Sequence, residues 1–289
     1  MSYQIIEANR EVGKVEVLCE ALGVSVSGYY AWRRRPASQR QQTDAVLLKE
    51  IRAAYQAGRG VYGSPRIHAM LKQQGVCCSR KRVARLMHQH GLHSCRRSKR
   101  RVVTTDSRHN RPVAPNLLKR DFRAGAPNEK WLGDIVGLWT DEGWLYMAAL
   151  LDPYSRMIVG WAMSPYRDEA LVTAALQMAL TQRERPHAAA LIQHTDRGSQ
   201  YTADDYLALL KAHGIQVSMS RKGDPYDNAM MESFFSTLRA ELTDLERFPT
   251  RQAARTAVFE FIEVFYNRQR LHSSLGYLSP LTFETTHLS

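Results

Sequence analysis

The chain has 289 residues, of which 44% are hydrophobic and 24% are charged, a composition typical of a globular protein with one to three domains. No apolar run approaches the roughly 20 residues that a membrane-spanning helix needs. No charged segment followed by an apolar one opens the chain, so we expect no signal peptide, no membrane attachment and a cytoplasmic location.

The net charge of +12 is unevenly distributed along the chain. Residues 1–123 contain 25 Lys and Arg against 8 Asp and Glu, whereas residues 124–289 contain 15 against 20. A strongly basic half attracts a polyanion, most often nucleic acid, because binding releases the counterions of the polyanion. The alternative is a solvated surface whose charge only keeps the protein soluble. The clustering favours nucleic acid as the partner.

Residues 1–43 have the pattern of a short helical unit. Apolar residues at helical spacing predict one helix that ends at Gly23. Ser25 or Ser27 can cap a second helix that runs through Trp32. Two short helices joined by a glycine turn predict a helix-turn-helix-like segment.

Residues 44–95 repeat this outline with three helices. An apolar stripe from Val46 to Tyr55 predicts the first helix, and Pro65 marks the start of the second. Ser79 caps the third, which carries outward-facing basic residues at its N-terminal end: Arg80, Lys81, Arg82 and Arg85. This arrangement suits a DNA groove or backbone, so we predict a helix-turn-helix DNA-binding domain. The alternative is a three-helix bundle with a solvated basic face.

A basic segment without periodicity, residues 96–125, is expected to be a flexible linker that follows phosphates. Its cations include Arg96, Arg97, Lys99, Arg100, Arg101 and Arg108. The cysteines at 77, 78 and 95 flank a His-rich run, but their spacing fits no standard zinc pattern, so we expect thiols there instead.

Residues 126–289 have the pattern of a mixed α/β layer fold. Three β-type runs, the first of which is KWLGDIVGLW, are joined by short turns at 141–143 and 152–153. A helix over about 168–183, a strand that ends at His194, a helix over about 203–213 and the short strand IQVSMS follow. Two more helices are expected to complete the chain.

Three carboxylates stand where chemistry is expected. Asp134 lies in the middle of the first strand, and Asp196 follows the end of the fourth. Glu232 lies on a helix whose opposite face is apolar, with Met230, Met231, Phe234, Phe235, Leu238 and Leu242. Acidic residues on surface turns are common, and we expect Asp152, Asp204 and Asp205 to be of that kind.

Three carboxylates that meet at one place repel one another unless a cation neutralises them. A set of oxygen ligands without cysteine or histidine selects hard ions such as Mg²⁺ or Mn²⁺. Two such ions about 4 Å apart form a phosphoryl-transfer site.

Several motifs occur together and in order along the chain: VYGSPRIHAMLKQQG, WLGDIVGLW, GWLYMAALLDPYSRMIVGWAM, HTDRGSQYTADDY, SRKGDPYDNAMMESFFSTLRAEL and YNRQRLHSSLGYLSPLTFE. With them the chain resembles transposases of the IS3 insertion-sequence family, the product of the second reading frame, within the DDE transposase and retroviral integrase superfamily. The 35 residues between Asp196 and Glu232 match the D-(35)-E spacing of that family.

The resemblance implies an RNase H-like catalytic core, a five-stranded mixed sheet flanked by helices, over residues 126–289. It implies that Asp134, Asp196 and Glu232 hold two Mg²⁺ ions, which Mn²⁺ can replace. Water then cuts a phosphodiester at the transposon end, and the 3′-OH attacks a second phosphodiester. It also implies a homo-oligomer on transposon-end and target DNA, and an upstream reading-frame product that a frameshift fuses to this chain.

Residues near the carboxylates are further candidates for DNA contacts, and for each a structural ion pair is the alternative. These residues are Arg197, Gln200, Tyr201, Arg221, Lys222 and Arg239. Arg239 lies two helical turns after Glu232 and therefore on the same face. We expect Gly198 to permit a tight turn after Asp196 and His194 to be a packing residue.

Two other functions are open at this point. The first is a DNA-binding regulatory partner of the fused transposase that is inactive alone, and the second is an RNase H-like nuclease. The three carboxylates argue against the first function, and the basic helical front half with the HSSLGYLSP motif argues against the second.

Overall fold

The computed structural model describes residues 2–36, 38–95, 113–183, 191–221 and 225–287. The chain opens with three short helices, α1 (Ser2–Asn9), α2 (Val15–Ala21) and α3 (Val26–Arg34). The last two are the helices expected on either side of Gly23, and Ser25 caps α3 by accepting a hydrogen bond from the Gly28 N–H at 3.0 Å.

Three further helices form the expected helix-turn-helix unit: α4 (Gln39–Ala57), α5 (Ser64–Gln73) and α6 (Arg80–Gln89). A capping box of Ser38 and Gln41 starts α4 before residue 44, the boundary that the sequence suggested. The prediction that Val46 lies inside was wrong, because its side chain is 63% exposed. The buried stripe consists of Leu47, Ile51 and Ala54, and Val46 lies about 100° away from it around the helix.

Five strands follow the helical units and form one mixed sheet in the order β3-β2-β1-β4-β5. They are β1 (Lys130–Thr140), β2 (Gly143–Leu151), β3 (Ile158–Ser164), β4 (Ile192–Thr195) and β5 (Gln216–Met219). The first three are antiparallel, whereas β4 pairs in parallel with both β1 and β5. The predicted mixed α/β core is therefore confirmed.

Alternation along β1 gives the sheet two different faces. Trp131 and Ile135 share a core with α7 (Glu169–Gln182) and α8 (Asp204–Ala212). Leu132 and Val136 share the other core with α9 (Ala229–Leu238). Asp134 lies between these last two in the alternation, so its side chain is on the α9 face.

Three helices follow β5, one more than the sequence suggested: α9, α10 (Arg251–Phe259) and α11 (Pro280–His287). The helix α9 continues directly into a π-helical turn, Arg239–Thr243, and α10 continues into another, Glu260–Tyr266. The short helix α11 was missed because it spans few turns and shows no clear apolar periodicity. None of the described helices is both long enough and apolar enough to cross a membrane.

The helix-turn-helix unit packs directly on the C-terminal part of the catalytic core. The Leu271 N–H donates to the Tyr62 hydroxyl at 2.9 Å, and Arg66 Nε donates to the Leu271 carbonyl at 2.9 Å. Gln73 Nε2 donates to the Tyr277 carbonyl at 3.0 Å. One continuous apolar core runs through both parts.

The second half of the expected flexible linker is packed against the core. Leu118 is buried, and the Leu117 N–H donates to Ser218 Oγ at 2.9 Å. The Met219 N–H donates to the Pro115 carbonyl at 3.3 Å. Apolar residues in this stretch bind it to the protein, which corrects the prediction for 113–125. Residues 96–112, with all six of the predicted linker cations, lie outside the described residues.

Candidate active site at the junction of two strands and a helix

The parallel pair β1 and β4 brings Asp134 and Asp196 side by side. Leu132 pairs with His194 in the register of the two strands. Asp134 and Asp196 each lie two residues beyond this pair along the chain. Side chains two residues apart in an extended backbone share a face of the sheet. Asp134 lies within β1, and Asp196 is the first residue after β4.

The N-terminal end of α9 meets the sheet next to this pair. Asn228, just before the helix, donates through Nδ2 to the carbonyl of Gly133 at 3.1 Å. Glu232, in the first turn of α9, is exposed. All six predicted apolar residues of this helical segment are buried, which confirms its orientation: Met230, Met231, Phe234, Phe235, Leu238 and Leu242.

The surroundings of Asp134 disfavour its charged form. Burial, the negative charge of Asp196 and, more weakly, that of Glu232 raise the pKa of the Asp134 carboxyl well above its ordinary value. The Ile135 N–H, which donates to it at 2.7 Å, and the positive charge of Arg167 only partly offset this. A cation bound beside these carboxylates would neutralise negative charge of this kind.

The three carboxylates do not close around one point. In the ranges that the structure describes, no three His, Cys, Asp or Glu side chains are grouped closely enough to hold a metal ion. Glu232 is exposed in the first turn of α9, and its negative charge is a smaller cause of the raised pKa of Asp134 than the charge of Asp196 is. The oxygen donors fit a hard divalent cation, in an open arrangement.

The turn after Asp196 fixes that side chain. The Gly198 N–H donates to Asp196 Oδ1 at 2.9 Å. Gly198 has an ordinary φ of −62°, so the turn does not need a left-handed residue. A Cβ at this position would lie 2.7 Å from Gln200 Oε1 and 3.0 Å from Asp196 Oδ1. Glycine fits here because the backbone approaches the carboxylate closely.

His194 is a buried packing residue, as predicted. Its ring nitrogens are hydrogen-bonded to Ser218 Oγ at 2.8 Å, to Ser220 Oγ at 3.1 Å and to the Asp227 carbonyl at 3.0 Å. Burial lowers the pKa of the ring, which favours neutral imidazole. The residue therefore ties the end of β4 to β5 and to the entrance of α9.

Asp227 organises the entrance to α9 and was not singled out from the sequence. It is buried and accepts hydrogen bonds from Asn116 Nδ2 at 2.9 Å and from Arg221 Nη2 at 2.9 Å. Arg120 Nε adds a longer contact at 3.4 Å. The bonds from Arg221 hold the pKa of this carboxyl well below its usual range. The available signal was the polar run DPYDN directly before an apolar helix.

Asp152, expected on a surface turn, is a second buried carboxylate. It accepts hydrogen bonds from the Asn128 N–H at 2.7 Å and the Tyr154 N–H at 2.9 Å, and Arg183 lies 3.4 Å away. The prediction was wrong because the turn is covered by other parts of the chain. Asp204 and Asp205 are exposed in the first turn of α8.

Tyr201 is a core residue, contrary to the prediction that it contacts DNA. Its side chain is 3% exposed and packs edge-on against Tyr206, with ring centroids 5.7 Å apart. Nothing in the polar run HTDRGSQYT indicates which of its residues turns inward.

Three of the other predicted contacts near the carboxylates have partners within the protein, namely Arg197, Gln200 and Arg221. Arg197 Nε donates to the Ser220 carbonyl at 2.7 Å, and Gln200 Nε2 donates to the Arg167 carbonyl at 3.2 Å. Arg221 pairs with Asp227 at 2.9 Å but keeps half of its side chain exposed. Lys222 lies outside the described residues.

The basic end of α6 divides into two pairs. Arg82 and Arg85 bind the carboxylate of Asp44 at 2.6 and 2.7 Å, which is the ion-pair alternative. Arg80 and Lys81 are exposed on the first turn of α6. Of these four basic residues, Arg80 and Lys81 are therefore the two that are exposed.

Arg239 lies on the same side of its helix as Glu232 and Ser236, and it is partly exposed. The structural alternative for Arg239 is an ion pair with a carboxylate close in sequence, Glu241 or Asp244. Arg270 binds the Glu241 carboxylate instead, at 2.6 Å. Within the described part of the chain, no ion pair involves Arg239.

Comparison with known proteins agrees with this architecture. Residues 124–225 and 213–280 match the Integrase core domain, and residues 41–101 match the HTH-like domain. The insertion element IS600 uncharacterized 31 kDa protein of Shigella sonnei is 45% identical over 266 residues, which cover 92% of this chain and 97% of that protein. Transposase InsF for insertion sequence IS3A of Escherichia coli K12 is 43% identical over 291 residues, with 100% of both chains covered.

Solved structures show weaker similarity. The simian T-cell lymphotropic virus intasome in complex with PP2A regulatory subunit B56 gamma aligns with a TM-score of 0.47 at 16% identity, over 75% of this chain and 69% of that one. The HTLV-2 integrase catalytic core domain in complex with magnesium aligns with a TM-score of 0.43 at 15% identity, over 56% of this chain and 99% of that one.

An integrase core joined to a helix-turn-helix unit defines an enzyme of the DDE polynucleotidyl transferase superfamily. The similarity over the whole chain is more specific, and this chain belongs to the family of IS3 insertion-sequence transposases. Transposases act on DNA, which agrees with the basic front half.

Proposed function

We propose that this transposase hydrolyses a phosphodiester at the transposon end and then joins the new 3′-OH to another strand, with Asp134, Asp196 and Glu232 as metal-binding catalytic residues. The partly buried carboxyl of Asp134 beside Asp196, whose pKa is raised by burial and by the neighbouring negative charge, carries this proposal. No nucleophilic side chain is required, because water and the 3′-OH are the attacking groups.

The three carboxylates differ in how firmly the fold holds them. The β-ladder holds Asp134 and the turn at Gly198 holds Asp196, whereas Glu232, on the exposed face of α9, would have to move toward them to complete the site. These oxygens would hold two Mg²⁺ ions, or Mn²⁺ in their place. Such ions supply the positive charge that activates an attacking oxygen and stabilises the leaving oxygen.

DNA would be held by the exposed cations around the site. On the helix-turn-helix unit these are Arg80 and Lys81, and on the π-helical turn after α9 the candidate is Arg239, which is partly exposed. Transposon-end and target DNA are the substrates in this proposal, a homo-oligomer pairs the two ends, and an upstream reading-frame product is a further partner.

A strand-transfer assay with the full chain tests the proposal. Labelled duplexes are taken from the DNA on each side of the coding sequence and incubated with a target plasmid, with Mg²⁺ or with EDTA. We expect end cleavage and joined products only with Mg²⁺. Binding of the ends without cleavage or joining would instead support the regulatory partner, and cleavage of RNA–DNA hybrids without joining would support the nuclease.

A further inference from the structure

A second basic surface, here called the Arg156 cleft, is lined by none of the residues already discussed as DNA contacts. Residues 119–124, the turn at 153–156, Met230 of α9 and the segment near Leu275 and Phe283 line it. Its volume is about 700 Å³. Four of the lining residues are Lys or Arg, and the single lining carboxylate, Asp121, is bound by Arg123 at 2.9 Å. The cleft is therefore cationic, although residues 124–289 carry net negative charge.

Arg156 is the central cation of this cleft. Its side chain is half-buried, and the loss of hydration lowers the pKa of its guanidinium. Within the described ranges this guanidinium has neither a hydrogen bond nor an ion pair. A partly desolvated cation without an anionic partner is costly, so the site favours a bound anion.

Backbone conformation places three of the cations. Lys119, Arg120 and Arg156 have φ values of 48°, 66° and 65°, in the left-handed region that costs free energy for residues other than glycine. Such strain is concentrated at binding sites, where the surrounding structure maintains it. All three residues are basic and line the same cleft.

The cleft also contains aromatic surface. The ring of Tyr154 lies 5.3 Å from that of Phe283, and Phe122 contributes a third ring. Cations beside aromatic rings are the features with which proteins bind the phosphates and bases of single strands. A volume of about 700 Å³ accommodates one or two nucleotides and not a duplex.

We propose that the Arg156 cleft binds an unpaired nucleotide of a DNA strand, with its phosphate at Arg156 and its base against Tyr154 and Phe283. Arg120, which also lines the cleft, is held in place by its neighbours. Its guanidinium lies over the ring of Tyr226 at 5.5 Å and contacts Asp227 at the entrance to α9. The proposal rests on the proposed function only in taking DNA as the polyanion, and not on catalysis.

The test measures binding by the full chain in EDTA, so that catalysis plays no part. A fluorescent single-stranded oligonucleotide and its duplex are titrated against wild type, Arg156→Asn, Arg156→Lys and Arg247→Asn. Asparagine tolerates the left-handed conformation, so Arg156→Asn removes the charge without adding backbone strain. Arg247, which pairs with Asp141 in the turn between β1 and β2, is 86% exposed. Its replacement by asparagine is the control that removes one charge elsewhere.

We expect Arg156→Asn to weaken single-strand binding by about tenfold and to leave duplex binding within about twofold. Arg156→Lys should retain most of the affinity, and Arg247→Asn should match wild type. An oligonucleotide with photoreactive thymine should crosslink to Tyr154, Phe122 or Phe283. Equal losses for single strand and duplex, equal losses in Arg247→Asn, or crosslinks confined to the helix-turn-helix unit would overturn the proposal. These binding results can be interpreted even if the protein shows no catalytic activity, so a failure of the proposed function and a failure of this proposal are distinguishable.

Discussion

Arg270 donates two hydrogen bonds of 2.6 Å to the carboxylate of Glu241, and both side chains are buried. Glu241 belongs to the π-helical turn that extends the helix of Glu232. Arg66 of the helix-turn-helix unit approaches the same carboxylate at 3.8 Å. This pair therefore connects the helix-turn-helix unit, the helical segment that contains Glu232 and the C-terminal segment at one point.

Removal of Arg270 should be strongly destabilising. In Arg270→Ala, the Glu241 carboxylate loses its main partner while it remains buried, and a loss of about 3–5 kcal/mol in the free energy of unfolding is expected. Urea denaturation followed by circular dichroism measures this loss.

The matched control is Arg247→Ala, which breaks the exposed pair of Arg247 with Asp141 at 3.1 Å. An exposed pair contributes less than about 1 kcal/mol. If both variants lost the same small amount of stability, the buried pair would not be the structural junction described above.

Asp134→Asn should stabilise the protein in EDTA at neutral pH. The pKa of Asp134 in the folded state lies above its ordinary value near 3.9, so above that pH the folded protein retains a proton that the unfolded chain has released. The stability of wild type therefore falls as the pH rises from about 4 to the folded-state pKa, whereas asparagine does not ionise.

The melting temperatures of the two proteins should diverge over that pH range and then differ by a constant amount, equivalent to about 1–3 kcal/mol. Thermal unfolding from pH 4 to pH 9 measures the difference. A variant less stable than wild type at pH 7 in EDTA would contradict the electrostatic account of the site.

Arg239→Ala should weaken joining without loss of thermal stability. Arg239 lies on the same side of its helical segment as Glu232, and the neighbouring carboxylate of Glu241 is bound by Arg270. A lost DNA contact costs on the order of 1–3 kcal/mol in binding free energy. Joining at limiting DNA and the melting temperature are measured on the same preparation. Normal joining with a lower melting temperature would identify Arg239 as a structural residue.

Local sequence patterns were enough to predict the secondary structure of the core and to single out the three carboxylates as candidates. The apolar face of α9 has helical periodicity, and Asp134 is conspicuous within a strand of apolar residues. These features depend on residues a few positions apart, which is why the sequence alone indicates them.

Burial of polar residues could not be predicted in the same way. Asp152, Tyr201 and Asp227 are buried because distant segments cover them, and their local sequence does not differ from that of exposed turns. The junction joins Glu241 and Arg270, which are 29 positions apart in the sequence, so no local pattern indicates it. The packing of residues 113–125 likewise depends on contacts with β5.

The most direct test of the central claim is strand transfer by the three carboxylate variants. Asp134→Asn, Asp196→Asn and Glu232→Gln are compared with Asp205→Asn, an exposed carboxylate of α8, in the labelled-end assay with Mg²⁺. Each of the three should lower joining by at least about 100-fold while DNA binding stays within about twofold, because metal ligands are lost and the basic surface is unchanged. The Asp205→Asn protein should join as wild type does. Joining at the wild-type rate in any one of the three would remove that residue from the catalytic site.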